Sequence, residues 1–306
     1  MGTVTANNLI KYYKTGKNET VEAVKGISFD INKGELFGLI GPDGAGKTSL
    51  FRMFTTLLLP DGGSGLVDGS DIVKDYKAIR KKVGYMPGRF SLYQDLSVEE
   101  NLEFFATIFN TTVRENYDLI KDIYVQIEPF KKRRAGKLSG GMKQKLALSC
   151  ALIHRPVVLF LDEPTTGVDA VSRKEFWEML QRLKEQGITI LVSTPYMDEA
   201  ALCDRVALMQ NGETLSIGTP KAITGAFPQT ILAIKAEKMF SLLHDLHEWK
   251  EAEDSYAFGE YHHVVIRNRV NEEELKSFLQ NKGHSKVEMY EATPNIEDCF
   301  LRLMKT

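Results

Sequence analysis

The sequence has 306 residues, 43% of them hydrophobic and 26% charged, which suits a globular protein with one large core and a small accessory domain. Its formal net charge of −2 excludes the strongly basic character of a general nucleic-acid-binding protein, so no nucleic-acid partner is expected. The three cysteines, Cys150, Cys203 and Cys299, are too far apart for a disulfide framework or a zinc-binding pattern, which favours a reducing cytoplasm.

Hydropathy sets a further limit. No stretch approaches the roughly 20 consecutive apolar residues that a membrane helix needs. The first residues also lack the apolar core of a signal peptide. If the protein works at a membrane, we therefore expect other chains to supply the span.

Short apolar runs between residues 21 and 40 predict β-strands, with a turn at residues 32–34. The last of these runs leads into a glycine-rich segment that matches G-x-x-x-x-G-K-[ST]: Gly41, Pro42, Asp43, Gly44, Ala45, Gly46, Lys47 and Thr48. A helix should follow from Lys47 and end at residues 60–63.

This segment has the context that a phosphate loop requires, a strand before it and a helix after it. Glycines let backbone N–H groups converge on phosphates at the helix N-terminus. Lys47 is then expected to reach the β- and γ-phosphates, and Thr48 to bind Mg²⁺. The segment therefore predicts ATP and Mg²⁺ as ligands.

Residues 97–150 are predicted to be mainly helical. Ser97 and Glu100 have the capping-box spacing at the start of one helix. Further on, Ser139, Gly140 and Gly141 precede another helix and offer a second anion-binding helix N-terminus. A serine that simply caps a helix after a loop explains this second motif equally well.

Two continuous apolar runs, at residues 157–161 and 188–192, predict buried parallel strands within an α/β layered domain. The first run ends in two carboxylates. Asp162 can hold Mg²⁺ through water, and Glu163 can polarise an attacking water. Downstream of a phosphate loop, this pair is predicted to be catalytic rather than a solvated strand end.

The pattern changes near residue 222. From there the sequence predicts strand, helix, strand, strand, helix, strand and a last helix, with strands at 231–234, around 256, at 263–266 and at 287–290. Strand–helix–strand–strand–helix–strand is the order of a split βαβ domain. We therefore expect a second domain.

Together with Gly167-Val168-Asp169, the phosphate loop, the Leu-Ser-Gly-Gly motif and the Asp-Glu strand resemble the nucleotide-binding subunit of ABC transporters over residues 1 to about 220. The forms LSGGMKQK and STPYMDEA are most similar to the drug-export and ABC-2 branch, in particular to one cassette of a two-cassette bacterial exporter. Asp43 is shared with that exporter, whereas most relatives have Asn there.

The resemblance implies an α/β P-loop NTPase fold with a RecA-like core, an antiparallel β-subdomain and a helical subdomain at about residues 89–150. These parts would form an ATP-binding domain over residues 1–222. A small α+β ferredoxin-like accessory domain would follow over residues 223–306.

The resemblance also implies residue roles. Tyr13 would stack on adenine, with Tyr12 as the alternative, and Ser49 would support the α-phosphate. Ser139, Gly140 and Gly141 would contact ATP held by a second ABC subunit, identical or different, and Asp169 would lie at that dimer interface. Transmembrane permease subunits would be the further partners, at the cytoplasmic face of the plasma membrane.

Two positions depart from the family pattern. Gly88 stands where relatives have Gln, and Pro195 stands where relatives usually have His. The missing Gln would contact Mg²⁺ and the attacking water, and the missing His would contact the γ-phosphate. We therefore expect a weak hydrolytic site on this chain's own phosphate loop, unless Arg89 or a backbone group takes over.

The predicted function is the ATP-binding and hydrolysing motor of an exporter for drugs, lipids or other small molecules. A non-transport ABC ATPase acting on ribosomes or DNA is one alternative. An ATP-binding regulatory subunit with little hydrolysis is the other.

Overall fold

A computed structural model describes residues 2–16, 19–267 and 271–305. In chain order its strands are β1 (Val4–Thr15), β2 (Glu19–Ile31), β3 (Leu36–Ile40), β4 (Gly62–Val67), β5 (Ser70–Asp71), β6 (Val83–Met86), β7 (Val158–Asp162), β8 (Thr189–Thr194), β9 (Arg205–Gln210), β10 (Glu213–Gly218), β11 (Ile231–Lys235), β12 (Ala252–Phe258), β13 (Tyr261–Ile266) and β14 (Glu288–Ala292).

The helices, in the same order, are α1 (Lys47–Phe54), α2 (Tyr76–Lys82), α3 (Val98–Ile108), α4 (Tyr117–Tyr124), α5 (Gly140–Leu152), α6 (Ala170–Glu185), α7 (Pro220–Gly225), α8 (Met239–Glu248), α9 (Glu272–Asn281) and α10 (Ile296–Leu303). Within the described ranges, none of them is both long enough and apolar enough to cross a membrane. The chain divides into two compact units, residues 1–220 with 303–306, and residues 221–302.

The larger unit is built on a six-stranded sheet in the order β10-β9-β3-β8-β7-β6. Its strands from β9 to β6 pair in parallel, and only the edge pair β10–β9 is antiparallel. The carboxyl ends of β3, β6, β7 and β8 therefore meet at one edge, where ligands bind in sheets of this kind. A second, antiparallel sheet has the order β2-β1-β4-β5.

Aromatic rings pack the two sheets and helix α1 against one another. The ring of Phe29 on β2 stacks on Phe37 of β3 with 5.4 Å between centroids. Phe54 of α1 stacks on Phe160 of β7 at 6.1 Å. These rings belong to one buried cluster, so the strand and the helix that flank the phosphate loop are both fixed by the core.

Helix α1 ends earlier than the sequence predicts. It stops at Phe54 instead of continuing to residue 60. The Thr55 hydroxyl donates to the carbonyl of Phe51, and Thr56 has a φ of +61°, in the left-handed region. A left-handed residue just past a helix is a usual stop. The predicted capping box of α3 is present, since the Ser97 and Glu100 side chains each accept the other residue's N–H.

The α/β P-loop NTPase fold is thus confirmed for the larger unit. The α3, α4 and α5 helices lie within the predicted helical region, and α5 contacts both others. In the smaller unit an antiparallel sheet has the order β12-β13-β11-β14, and the chain order is β11-α8-β12-β13-α9-β14. That is the predicted ferredoxin-like arrangement. Whether residues 223–306 fold independently stays a prediction.

Candidate functional site

The phosphate loop, residues 41–48, leaves β3 and enters α1 with backbone packed closely behind it. The Gly46 residue has a φ of +99°, and a Cβ there would lie 2.4 Å from the Ala23 carbonyl oxygen. A Cβ on Gly41 would lie 2.1 Å from the Met209 carbonyl oxygen. Both positions therefore require glycine, because strands β2 and β9 approach the loop through their main chains.

We expect Gly41→Ala to lower the free energy of unfolding by about 1–3 kcal/mol, because the added methyl meets backbone that cannot rotate away. Gly140→Ala is the matched control, since a Cβ there would meet only the Gly167 carbonyl oxygen at 3.7 Å. Urea unfolding of both variants measures the effect. Equal midpoints would contradict this account of the loop.

Lys47 is 3% exposed and points back over the loop. Its Nζ donates to the carbonyl oxygens of Gly41 at 2.6 Å and Pro42 at 3.0 Å. The same nitrogen lies 3.4 Å from Glu163 Oε1. The predicted phosphate-binding lysine and the predicted base therefore lie in one place.

Asp162 ends β7 and is 3% exposed. Its Oδ1 accepts hydrogen bonds from Thr48 Oγ1 at 3.2 Å and from Ser193 Oγ at 2.7 Å. Hydroxyl and carboxylate oxygens at this separation are the ligands that Mg²⁺ takes in nucleotide sites. The predicted metal pair is thus brought together by strands β7 and β8 and the start of α1.

Glu163 has an unusual backbone conformation. Its φ of +50° places a non-glycine residue in the left-handed region. The Glu163 N–H lies within hydrogen-bond distance of both the carbonyl and the hydroxyl of Ser193, at 3.1 and 3.0 Å. Strained residues of this kind persist where neighbouring bonds hold them, and they concentrate at active sites.

A cavity of about 490 Å³ opens over the loop, a size suited to a small-molecule ligand. It is lined by Val21, Ala23, Asp43, Gly44, Ala45, Gly46, Lys47, Thr48, Ser49 and Glu163. A buried ammonium group, a glycine loop at a helix start and converging oxygens fit a nucleoside triphosphate with Mg²⁺.

Tyr13 of β1 lies beside this cavity. Its hydroxyl is 3.1 Å from Ser49 Oγ, the residue after the loop. Tyr12 is 44% exposed, and its pKa is raised by a hydrogen bond to Glu22 and by that carboxylate's charge. Successive strand residues point to opposite faces. The geometry therefore favours Tyr13 over Tyr12 as the aromatic group nearest to the loop.

The signature residues lie at a different place on the same unit. Ser139 caps α5 and accepts from the Met142 N–H at 3.3 Å. A Cβ on Gly141 would lie 2.8 Å from Ser172 Oγ, near the start of α6. Asp169 caps α6, and the Ser172 N–H that it accepts lowers the pKa of its carboxyl. These residues do not line the cavity of their own chain.

Gly88 and Pro195 follow the ends of β6 and β8 and reach the edge of the sheet that carries the phosphate loop. A Cβ on Gly88 would lie 3.1 Å from the Asp162 carbonyl oxygen and 3.8 Å from Glu163 Cβ. Pro195 follows Thr194, whose carbonyl accepts the Gly41 N–H at 3.2 Å. A side chain at position 88 would therefore start beside both acidic residues.

Sequence reasoning missed residues that only the fold brings here. Ser193 bonds Asp162 and Glu163, yet the predicted strand ended at residue 192 and no role was assigned to Ser193. A hydroxyl inside an otherwise apolar parallel strand was the available signal, because buried polar groups need partners. Val21 and Ala23 form a wall of the cavity from β2, and no local pattern marks them.

Comparison with known proteins agrees with this geometry. Residues 24–166 match the ABC transporter family. The chain is 39% identical to the probable multidrug ABC transporter ATP-binding protein YbhF of Escherichia coli, over 92% of the chain and 49% of that relative. It is 34% identical to the Nod factor export ATP-binding protein I of a Rhizobium species, over 92% of the chain and 91% of that relative.

The chain thus spans about half the length of YbhF and nearly all of the Nod factor protein. Among solved structures, a dimeric ATP-binding cassette bound to ADP and Pi aligns with a TM-score of 0.64 and 25% identity, covering 71% of this chain and 98% of that one. The cbiO1 protein of Clostridium perfringens, part of an ABC transporter complex, aligns with a TM-score of 0.64 and 28% identity, over 74% and 91% of the two chains. The chain belongs to the family of ABC transporter ATP-binding proteins.

Proposed function

We propose that this chain is the MgATP-binding and hydrolysing motor subunit of an exporter. The observation that carries the proposal is the convergence of Lys47, Thr48, Asp162 and Glu163 at one edge of the parallel sheet. An ammonium group, a metal-binding oxygen pair and a carboxylate base are the parts that phosphoryl transfer to water needs.

In this mechanism Lys47 turns from its carbonyl partners to the β- and γ-phosphates and neutralises developing charge. Thr48 and Asp162 would hold Mg²⁺, which would withdraw charge from the phosphate oxygens. Glu163 accepts a proton from the attacking water. Tyr13 supports adenine, and Ser49 supports the α-phosphate.

Two ABC subunits would complete each site. Ser139 and Gly140 are exposed at the start of α5 and Gly141 is half-buried, and their backbone can reach a phosphate only on a neighbouring molecule. The exposed Asp169 lies next to them and suits the interface between subunits. This placement supports the proposed dimer, whose second subunit is identical or different.

The membrane partner would bind beside the metal site. An apolar cavity of about 350 Å³ lies there, and its lining includes Leu57, Met86, Pro87, Phe105, Phe109 and His154. Pro87 directly precedes Gly88, so an occupant of this cavity would contact the segment that reaches Asp162. We propose that a cytoplasmic segment of a permease binds here and holds the chain at the membrane's inner face.

Purification from detergent-solubilised membranes of the native host tests this function. The tagged chain should co-purify with a polytopic membrane protein and show MgATP hydrolysis, and Glu163→Gln should remove the part of that hydrolysis that comes from this chain's own site. Co-purification with ribosomes or DNA, and with no membrane protein, would favour the non-transport alternative and contradict the proposal.

The exporter assignment draws on the names of similar proteins, which include multidrug, Nod factor and linearmycin ATP-binding proteins. The exported compound is set by the permease, so this chain is proposed to energise transport rather than to select the substrate. Gly88 and Pro195 lead us to propose that its own site hydrolyses slowly and works best with a different subunit.

The accessory domain is proposed to be dispensable for nucleotide binding. A chain that ends at residue 222 should stay soluble, and its Kd for MgATP should lie within about threefold of that of the full chain, which is about 0.7 kcal/mol. The reason is that every residue lining the cavity over the phosphate loop lies between Val21 and Glu163. Fluorescent-nucleotide titration measures it, and Lys47→Ala in the shortened chain is the negative control. A folded shortened chain that binds no nucleotide would contradict the boundary.

A further inference from the structure

A buried carboxylate that the predicted site does not include lies behind the catalytic loops. Glu199 is 1% exposed and sits in the short 3-10 helix Met197–Leu202 after β8. One of its oxygens accepts a hydrogen bond from Thr165 Oγ1 at 2.8 Å, and the other accepts one from Thr194 Oγ1. One oxygen therefore binds a hydroxyl group of the loop after β7, and the other binds a hydroxyl group at the end of β8.

The two threonines belong to the segment that carries the proposed base and to the strand end that bonds the phosphate loop. Thr165 follows Glu163 by two residues and is 1% exposed. Thr194 ends β8, and its carbonyl accepts the N–H of Gly41, the first residue of the phosphate loop. Glu199 thus joins the loop that carries the base to the strand end that supports the phosphates.

The groups around Glu199 compensate for the burial of its carboxylate. Burying an unpaired carboxylate costs several kcal/mol, so such groups persist where hydrogen bonds and countercharge offset the cost. Here the two hydroxyls donate to it, and Arg173 Nε lies 4.0 Å away. The Arg173 guanidinium is itself placed 4.6 Å over the ring of Tyr196, in the same turn.

The strained backbone of Glu163 gives a reason for the hydrogen bond between Thr165 and Glu199. A left-handed glutamate keeps its conformation only if the residues on both sides are held. Ser193 holds it from the N–H side at 3.0 Å. The Thr165 bond to Glu199 holds the chain on the other side.

We propose that Glu199 is a positioning residue for ATP hydrolysis. Its carboxylate accepts hydrogen bonds from both Thr165 and Thr194, and these two bonds set the distance between the Glu163 carboxylate and residue 195. This inference rests on the proposed ATPase function. Pro195 offers no side-chain or backbone donor to the phosphate, so in this chain the strand end depends on Glu199 for its position.

Three variants test the proposal in the purified full-length chain, where all turnover comes from its own site: Glu199→Ala, Glu199→Gln and, as the matched control, Asp198→Ala. The Asp198 side chain is 76% exposed, lies 3.8 Å from the same Arg173 and bonds neither threonine, so its removal controls for the loss of a carboxylate beside Arg173. In Glu199→Ala we expect kcat to fall by about 10- to 100-fold, since misplacement by 1 Å can cost that much. The Kd for MgATP should stay within about threefold, because Glu199 does not touch the phosphate loop.

Glu199→Gln keeps one acceptor oxygen, and its NH2 group can donate to the other threonine once that hydroxyl rotates to accept, so this variant should restore most of the turnover. Thr165→Val and Thr194→Val keep the side-chain shape and should each lower kcat, and either one should add little in the Glu199→Ala background. If Glu199→Ala and Asp198→Ala have equal kcat, or if Glu199→Ala loses kcat and MgATP affinity in parallel, the proposal is overturned.

Amide hydrogen exchange separates this result from a failure of the proposed function. Glu199→Ala should speed exchange at residues 165–168 and 196–198 relative to Asp198→Ala, while the strands of the core stay protected. Unchanged exchange there overturns the positioning role. A wild-type chain that binds and hydrolyses no MgATP contradicts the proposed function instead, and the exchange measurement still decides whether Glu199 joins the two loops.

Discussion

Lys47→Ala should weaken MgATP binding by about 10- to 150-fold, because a charge-assisted contact to phosphate contributes about 1.5–3 kcal/mol. Turnover should fall further, since the ammonium group also stabilises charge that develops on the transferred phosphoryl group. Titration with a fluorescent ATP analogue and a phosphate-release assay measure the two effects.

The structure supplies a reason to check folding in the same experiment. Lys47 Nζ binds two loop carbonyls and lies 3.4 Å from Glu163, so its removal leaves polar groups without a partner. Lys33→Ala is the control, because Lys33 lies exposed in the turn before β3. If folded Lys47→Ala binds and hydrolyses MgATP like Lys33→Ala, the phosphate-loop assignment is wrong.

Gly88→Gln combined with Pro195→His should raise ATP turnover at this chain's own site. Removal of one preorganised transition-state contact commonly costs about 10²–10³ in rate. Because both positions serve one site, the gains need not multiply. We therefore expect the double variant to hydrolyse ATP about 10²-fold faster, with little change in nucleotide affinity.

The geometry at position 88 supports this expectation. A Cβ there lies 3.1 Å from the Asp162 carbonyl oxygen, so the backbone must give by a few tenths of an ångström, and the amide then extends from beside Glu163. The exposed Arg89, or a backbone group, is the alternative source of the missing contact. Arg89→Ala in the wild-type background tests that alternative.

Steady-state phosphate release from the purified chain decides between these accounts. A wild-type rate usual for transporter ATPases that the double change does not raise would show that the site is complete. Loss of that rate in Arg89→Ala would then assign the contact to the guanidinium group. A slow wild-type rate that the double variant raises supports a partner subunit that carries Gln and His.

Local patterns in the sequence were sufficient to predict much of the fold and several residues of the candidate site. The phosphate loop, the Asp162-Glu163 strand end and the strand and helix order of the accessory unit depend on residues close together in the chain. A helix N-cap such as Ser97, or a glycine loop between a strand and a helix, acts over a few residues, so its signature is readable directly. The end of α1 was misplaced because a left-handed Thr56 has no such signature.

Tertiary structure alone decided which distant residues meet. Parallel pairing of β3, β7 and β8 places Ser193 on Asp162, and residue 199 between residues 165 and 194. Close main-chain approach of Ala23 and Met209 explains why two loop positions must be glycine. These contacts join segments up to 168 residues apart. Which residues meet in these contacts depends on the order of the strands in the sheet and on which polar groups become buried together. Both are settled only when the core assembles, so a local sequence pattern does not reveal them.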